Sequence, residues 1–423
     1  MNEPANISRT YHYLLGFCAL LIGAYSKLVL LGLLPLFVVV ILAWRRGFLN
    51  FRWHFTQWSW TLLYSFYFIY SVIFWNDEIS PKQIEYKLSW LIFPIIFSFV
   101  PQFKLEKKYI IFGLTTGVII SSVMGIAKAI HACLTIGVTL TSYTSSNICI
   151  NHPTYFSATA TIALLLLIEN WNQKPLKSWP QWVKIILVGF ITLMILLSFS
   201  MAGFLFIAAS SGLVFIHFLI KRETPMKRKL FMIAFPIIGI MLLSQNDFIK
   251  GEFNNTRLAL SQYINDPAQF IADKKQSQNG DEVRLIMWTA SFLEIKEHPL
   301  GVGPTQIGQH LSQRLTTLQQ PQMAQMNNHG EVHYNPHNQY LQMALEIGWI
   351  PLCIFIMMLV NFIAIGIKNN SYAISAIALL LGFHCLFESI LQRQSGIVTF
   401  TFIISFCILY LESKSKKEIE HVA

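Results

Sequence analysis

The chain has 423 residues, of which 54% are hydrophobic, 14% aromatic and 12% charged. Soluble domains carry roughly a quarter of charged residues, so these proportions exclude a soluble globular protein and indicate an integral membrane protein. The 31 Lys and Arg against 21 Asp and Glu leave a net charge of +10, but the basic residues sit in short clusters between apolar runs, a pattern that argues against a nucleic-acid partner and marks cytoplasmic loops instead.

The start of the chain, residues 1–13, is polar and lacks the pattern of a cleavable signal peptide, so the N-terminus is expected to be retained. A spanning helix needs about 20 mostly apolar residues. By that criterion about twelve spans are predicted, at residues 11–26, 28–44, 57–75, 87–101, 109–130, 154–169, 183–199, 201–220, 230–245, 339–365, 371–390 and 396–411. Every even connector is basic: Arg45, Arg46 and Arg52 follow the second span, Lys104, Lys107 and Lys108 the fourth, and Lys174, Lys177 and Lys184 the sixth. Lys221, Arg222, Lys227, Arg228 and Lys229 follow the eighth, Lys368 the tenth, and Lys414, Lys416 and Lys417 the twelfth. Even connectors and both termini are therefore expected in the cytoplasm, and odd connectors outside.

The fold class that results is an all-α polytopic membrane protein with a large helical outer loop before the third-last span. Its parts are spans one to nine over residues 1–245, a loop domain over 246–338, spans ten to twelve over 339–411, and a cytoplasmic tail over 412–423. Within the loop, Leu285, Trp288, Phe292 and Ile295 recur at helical spacing over residues 284–297. Ile307, Leu311, Leu315 and Leu318 form a thinner stripe over residues 305–318. Both helices are expected to lie with their apolar faces on the membrane. Cys18, Cys353, Cys385 and Cys407 read as buried hydrophobes, whereas Cys133 and Cys149 flank one outward loop. That pair is a candidate disulfide in an oxidising compartment, two unlinked thiols being the commoner outcome.

Candidate chemistry collects where the outer loop meets the tenth span, at His333-Tyr334-Asn335-Pro336-His337-Asn338-Gln339. His337 would sit in the first turn of a helix and can take a proton from a hydroxyl near neutral pH; the bland alternative is an interfacial histidine holding a helix end. His329, His333 and His337 are spaced by four, but Gly330 and Pro336 interrupt the helix that a zinc site at that spacing needs. Arg284 offers a planar fork for phosphate oxygens, or else pairs locally with Asp281 or Glu282. The run Pro299-Leu300-Gly301-Val302-Gly303 is either an anion-binding nest or a helix–helix turn. Lys128, His131, His152, His384, Glu388, Arg393 and Gln394 all fall near outer ends of spans, with a Glu388 to Arg393 ion pair as the simplest pairing.

Three stretches together are similar to the O-antigen ligase and polymerase superfamily: Arg284 and Trp288 on one helix, His298-Pro299-Leu300-Gly301-Val302-Gly303, and Asn335-Pro336-His337-Asn338-Gln339-Tyr340-Leu341-Gln342 running to Glu346-Ile347-Gly348-Trp349. Asn151-His152-Pro153-Thr154-Tyr155 resembles the start of the sixth span in some members. The resemblance implies a GT-C-like glycosyltransferase of the bacterial inner membrane, with its active site facing the periplasm. Its donor would be a glycan on undecaprenyl diphosphate and its acceptor a hydroxyl, with no cofactor, nucleotide sugar or metal. On matching positions, His337 would activate or orient the acceptor, and Arg284 would bind the leaving diphosphate. Asn338, Arg393, Lys128, His152 and His333 complete the candidate substrate-binding set. Many members carry Ser-Arg near the start of the eighth span where this chain has Ser200-Met201, so one arginine contact is missing.

The leading expectation is an O-antigen ligase that joins the glycan to a lipid A–core sugar by inverting single displacement, with membrane lipids as its surroundings. A polymerase or a protein O-oligosaccharyltransferase would use the same motif. A flippase for the lipid-linked glycan is the different class, but its ionisable residues should lie near the midplane of several helices. Here they collect at one face.

Overall fold

In the computed structural model the described residues are 3–77, 80–137, 152–173, 176–198, 212, 247–274, 279–326 and 335–420, and they are predominantly helical. Helices α1 (Glu3–Tyr25), α2 (Leu30–Arg45) and α3 (Phe55–Ile73) follow the first three predicted segments. Then come α4 (Ser80–Lys87), α5 (Ser89–Phe97), α6 (Lys108–Ile136), α7 (Pro153–Glu169) and α8 (Gln181–Leu197). The predicted spans at 201–220 and 230–245 lie outside the described residues. Among the described residues, three helices are long and apolar enough to cross a membrane, Lys108–Thr135, Trp349–Lys368 and Gln394–Lys414, and four shorter apolar ones accompany them.

The fourth predicted span is not one helix. Helix α5 has nine residues, or ~14 Å of length, too short to cross a bilayer alone. The chain then forms β2 (Phe99–Pro101), which pairs antiparallel with β1 (Leu49–Phe51). Pro94 inside α5 has no N–H for the Trp90 carbonyl, and Thr61 Oγ1 approaches that carbonyl at 3.5 Å instead.

Helices α1 and α6 meet backbone to backbone. A Cβ on Gly113 would fall 2.0 Å from the Gly16 carbonyl oxygen, and one on Gly117 would fall 2.2 Å from that of Leu20. Small residues one turn apart permit this approach, the usual device where lipid removes the hydrophobic drive between helices.

The segment 247–338 holds four described helices: α9 (Asp247–Asn265), α10 (Pro267–Asp273), α11 (Gly280–Glu297) and α12 (Ile307–Thr317). The last two match the predicted pair; the first two were not predicted. The apolar stripes of α11 and α12 do not lie bare for a membrane. Leu285, Ile295, Ile307, Leu311 and Leu315 are buried in protein, and of the stripe only Phe292 is largely exposed, at 58%.

The tenth predicted span is also two helices, α13 (Gln339–Ile347) and α14 (Trp349–Lys368), separated by Gly348 at φ +85°. Helices α15 (Tyr372–Phe387) and α16 (Gln394–Glu420) close the chain. Helices α7 and α15 set two opposite ends: Glu169 accepts from Ser371 Oγ at 2.6 Å at one, while His152 and Glu388 cap the other. Cys133 is a free thiol and Cys149 lies outside the described residues. Cys353, expected buried, is exposed on the outside of α14.

Candidate functional site

Asparagine is a strong N-cap because its side-chain oxygen satisfies helix-start N–H groups. Asn338 does this for α13, accepting from the backbone N–H of Tyr340 at 3.0 Å and of Leu341 at 3.1 Å. Its amide donates to the Leu386 carbonyl at 3.2 Å, which ties α13 to the end of α15. His337 is therefore one residue before the cap, not in the first helical turn. Its φ is +45°, a left-handed conformation that is uncommon for a residue with a side chain and is held only where the surroundings demand it. Here the Asn335 side chain accepts from the His337 N–H at 2.8 Å, and the Trp288 indole donates to the Pro336 carbonyl at 2.7 Å.

This backbone turns His337 onto Glu388, with Nδ1 at 3.2 Å from Oε2. The expected pair of Glu388 with Arg393 is absent among the described ion pairs, and His337 takes its place. Burial pushes the Glu388 carboxyl up, but the hydrogen bond from His337 and the charges of His337, Arg284 and His152 outweigh it and hold the group below the usual carboxylate range. An ionised carboxylate only accepts, so His337 donates through Nδ1–H, and in the neutral ring Nε2 keeps its lone pair.

Arg284 lies in the second turn of α11, its Nη1 on Asp281 Oδ1 at 3.0 Å. The local pairing leaves the Nε buried without a hydrogen bond among the described residues, a costly condition that a ligand oxygen would relieve. His152, immediately before α7, is within electrostatic reach of Glu388, Arg393 and His337, and its ring stands edge-on to Tyr155 at 5.8 Å. Arg393, exposed, follows the short turn Ile390–Gln392. The structure thus brings His337, Asn338, Glu388, Arg284, His152 and Arg393 to one end of the helices. Lys128 is exposed on α6, with no hydrogen bond or ion pair to this group among the described residues. His333, His329 and Met201 lie outside the described residues. His384 is buried in α15 against Phe400.

Two supports hold α13 in place. The Gly301 to Gly303 turn is no anion nest: the N–H groups of Val302 and Gly303 donate to the Leu345 and Glu346 carbonyls at 2.7 and 3.1 Å, closing the C-terminus of α13. Beneath α13 runs a buried polar network. Lys87, 1% exposed, donates to the Leu391 carbonyl at 3.0 Å and to Gln392 Oε1 at 3.1 Å. Gln392 in turn donates to Glu346 at 2.9 Å, and Gln342 donates to the same carboxylate at 3.0 Å. The Lys87 ammonium also lies 4.4 Å from the centre of the Tyr67 ring. The only hint in the sequence was a lysine at the edge of an apolar run.

A cluster of polar and ionisable side chains at one end of long apolar helices is the arrangement of a membrane protein. Residues 186–356 match the family described as O-antigen ligase. That stretch is similar to a family of glycosyltransferase-like enzymes, and it includes both Arg284 and His337. No curated protein matches the chain.

Proposed function

We propose that this chain is an O-antigen ligase that transfers a glycan from undecaprenyl diphosphate to a sugar hydroxyl of lipid A–core at the periplasmic face of the inner membrane. The observation that carries the reading is the His337 to Glu388 contact at 3.2 Å on the same helix ends as two guanidinium groups. His337 Nε2 accepts the proton of the acceptor hydroxyl as its oxygen attacks the anomeric carbon. The carbon–oxygen bond to the diphosphate breaks, and the leaving group takes the electron pair. Arg284 and Arg393 supply fixed positive charge for the diphosphate, where charge grows most in the transition state. Attack opposite the leaving group inverts the anomeric centre.

Glu388 holds the imidazole in the tautomer that presents Nε2, as carboxylates do for catalytic histidines elsewhere. The domain does not encode the acceptor, so the test must. In a deletion strain, rough core with accumulated long lipid-linked glycan supports the ligase. Core carrying a single repeat indicates a polymerase, and intact lipopolysaccharide with unglycosylated proteins indicates an oligosaccharyltransferase; either result overturns the ligase assignment.

A further inference from the structure

Away from the transfer site, the C-terminal end of α11 and the first turn of α12 bring two imidazoles to one carboxylate oxygen. His310 Nδ1 is 2.7 Å from Glu294 Oε1, and His298 Nε2 is 3.4 Å from the same atom. One ligand atom from each of the three residues lies within 4.8 Å of the others. The two rings stand nearly perpendicular, with centroids 5.0 Å apart.

We propose that Glu294, His298 and His310 form a binding site for a divalent transition-metal ion of the zinc class. Zinc takes imidazole nitrogen and carboxylate oxygen at about 2.0–2.2 Å in a tetrahedron, so neighbouring ligand atoms end up ~3.3 Å apart. Two of the three separations, 2.7 and 3.4 Å, are already near that value, and all three atoms lie within 4.8 Å of one another. Hydrogen bonding of the carboxylate does not by itself call for this convergence. Arg314 Nε at 3.0 Å serves the other oxygen, Oε2, and His310 serves Oε1, so each carboxylate oxygen has a donor before His298 arrives. Arg314 instead does what an outer partner of a metal ligand does, fixing the carboxylate so that Oε1 points at the imidazoles.

The fourth position opens to solvent beside His298, whose side chain is 45% exposed. Glu294 is ten residues beyond Arg284 on the same helix, ~15 Å along its axis. The ion would therefore take no part in glycan transfer. It would clamp α11 to α12 and hold the His298-Pro299 turn, whose glycines close α13.

The test uses the full chain in detergent or nanodiscs, freed of any polyhistidine tag and stripped with a chelator. Zinc is titrated against a chromophoric competitor, and cobalt is added separately as a spectroscopic probe of coordination. One zinc ion per chain at micromolar or tighter affinity is expected, with visible cobalt bands of a four-coordinate site. His298→Ala should weaken zinc at least tenfold and abolish those bands, while His298→Cys, which keeps a ligand atom, should retain both. Truncating a side chain this exposed empties no core, so loss in the alanine variant reads as loss of a ligand. No zinc held by the wild type, or equal affinity in wild type and His298→Ala, overturns the proposal.

Discussion

Trp288 donates its indole N–H to the carbonyl of Pro336 at 2.7 Å, so the helix that carries Arg284 is pinned to the residue immediately before His337. Arg284 is one turn away on α11, ~6 Å along the axis. In the proposed mechanism this bond fixes the spacing of the base and a diphosphate-binding cation, and it should matter more for rate than for stability, because small misplacements of reacting groups are costly. Trp288→Phe keeps the ring and loses the bond, worth about 1 kcal/mol of stability. Expression and insertion should stay near wild type while transfer falls about tenfold. Wild-type turnover in a purified-enzyme assay would remove Trp288 from the positioning machinery.

The histidine and its carboxylate should differ in severity. His337→Ala is expected to lower transfer by ~10²-fold or more, the typical contribution of a general base. Glu388→Gln keeps the shape but not the charge, and should cost about 10- to 100-fold in kcat with little change in KM. Because Glu388 is held below the usual carboxylate range, its charge stabilises the fold above that range. The contribution is lost as pH falls through the lowered native value. Thermal unfolding should therefore show wild type above Glu388→Gln at neutral pH, with the gap closing on acidification.

Arg284→Lys tests the fork. A lysine restores the charge but not two parallel N–H donors, nor the buried Nε that has no hydrogen-bond partner among the described residues. Transfer should fall about tenfold or more, and inorganic pyrophosphate should inhibit the variant more weakly than the wild type. Equal inhibition of the two enzymes would argue against diphosphate binding by this residue.

Much of this site could be read from residue types, and the failures share a cause. The apolar run from 339 marks the start of α13, but whether His337 lies in its first turn or before its cap depends on backbone turns that spacing does not report. The apolar run 339–365 looked like one span because Gly348 is a single small residue in it. Only its packing against Leu300 shows the break. Glu388 was assigned to the nearby Arg393 because sequence proximity is visible and a partner 51 residues away is not. Lys87 donates its hydrogen bonds to Leu391 and Gln392, which come from the other end of the chain.

The break at Gly348 is a sharp test of the loop's seating. A Cβ there would come within 2.5 Å of the Leu300 carbonyl carbon and oxygen, at a φ of +85° that side chains rarely adopt. Gly348→Ala should destabilise the protein by ~2–3 kcal/mol or more and lower its yield in membranes. An unfolding temperature within a degree of wild type would show that the turn and α13 separate readily.

The buried network predicts a double-mutant signature. Lys87→Met leaves the Glu346 carboxylate among neutral donors and should cost about 3–5 kcal/mol, the penalty of an orphaned buried charge. Adding Glu346→Gln removes that charge and should recover part of the loss, measured by thermal unfolding of the two single variants and the pair. Strict additivity would show that the two residues do not communicate through Gln392.

The most direct test of the whole reading is reconstituted transfer: purified wild type and His337→Ala, each given undecaprenyl-diphosphate-linked glycan and rough lipopolysaccharide in the same membrane. Wild type should convert the acceptor to glycan-bearing product and release undecaprenyl diphosphate in equal amount without added metal, and His337→Ala should do neither while remaining folded and inserted. Undiminished product from His337→Ala, or glycan lost from the carrier by the wild type with none on the lipid A–core, would contradict it.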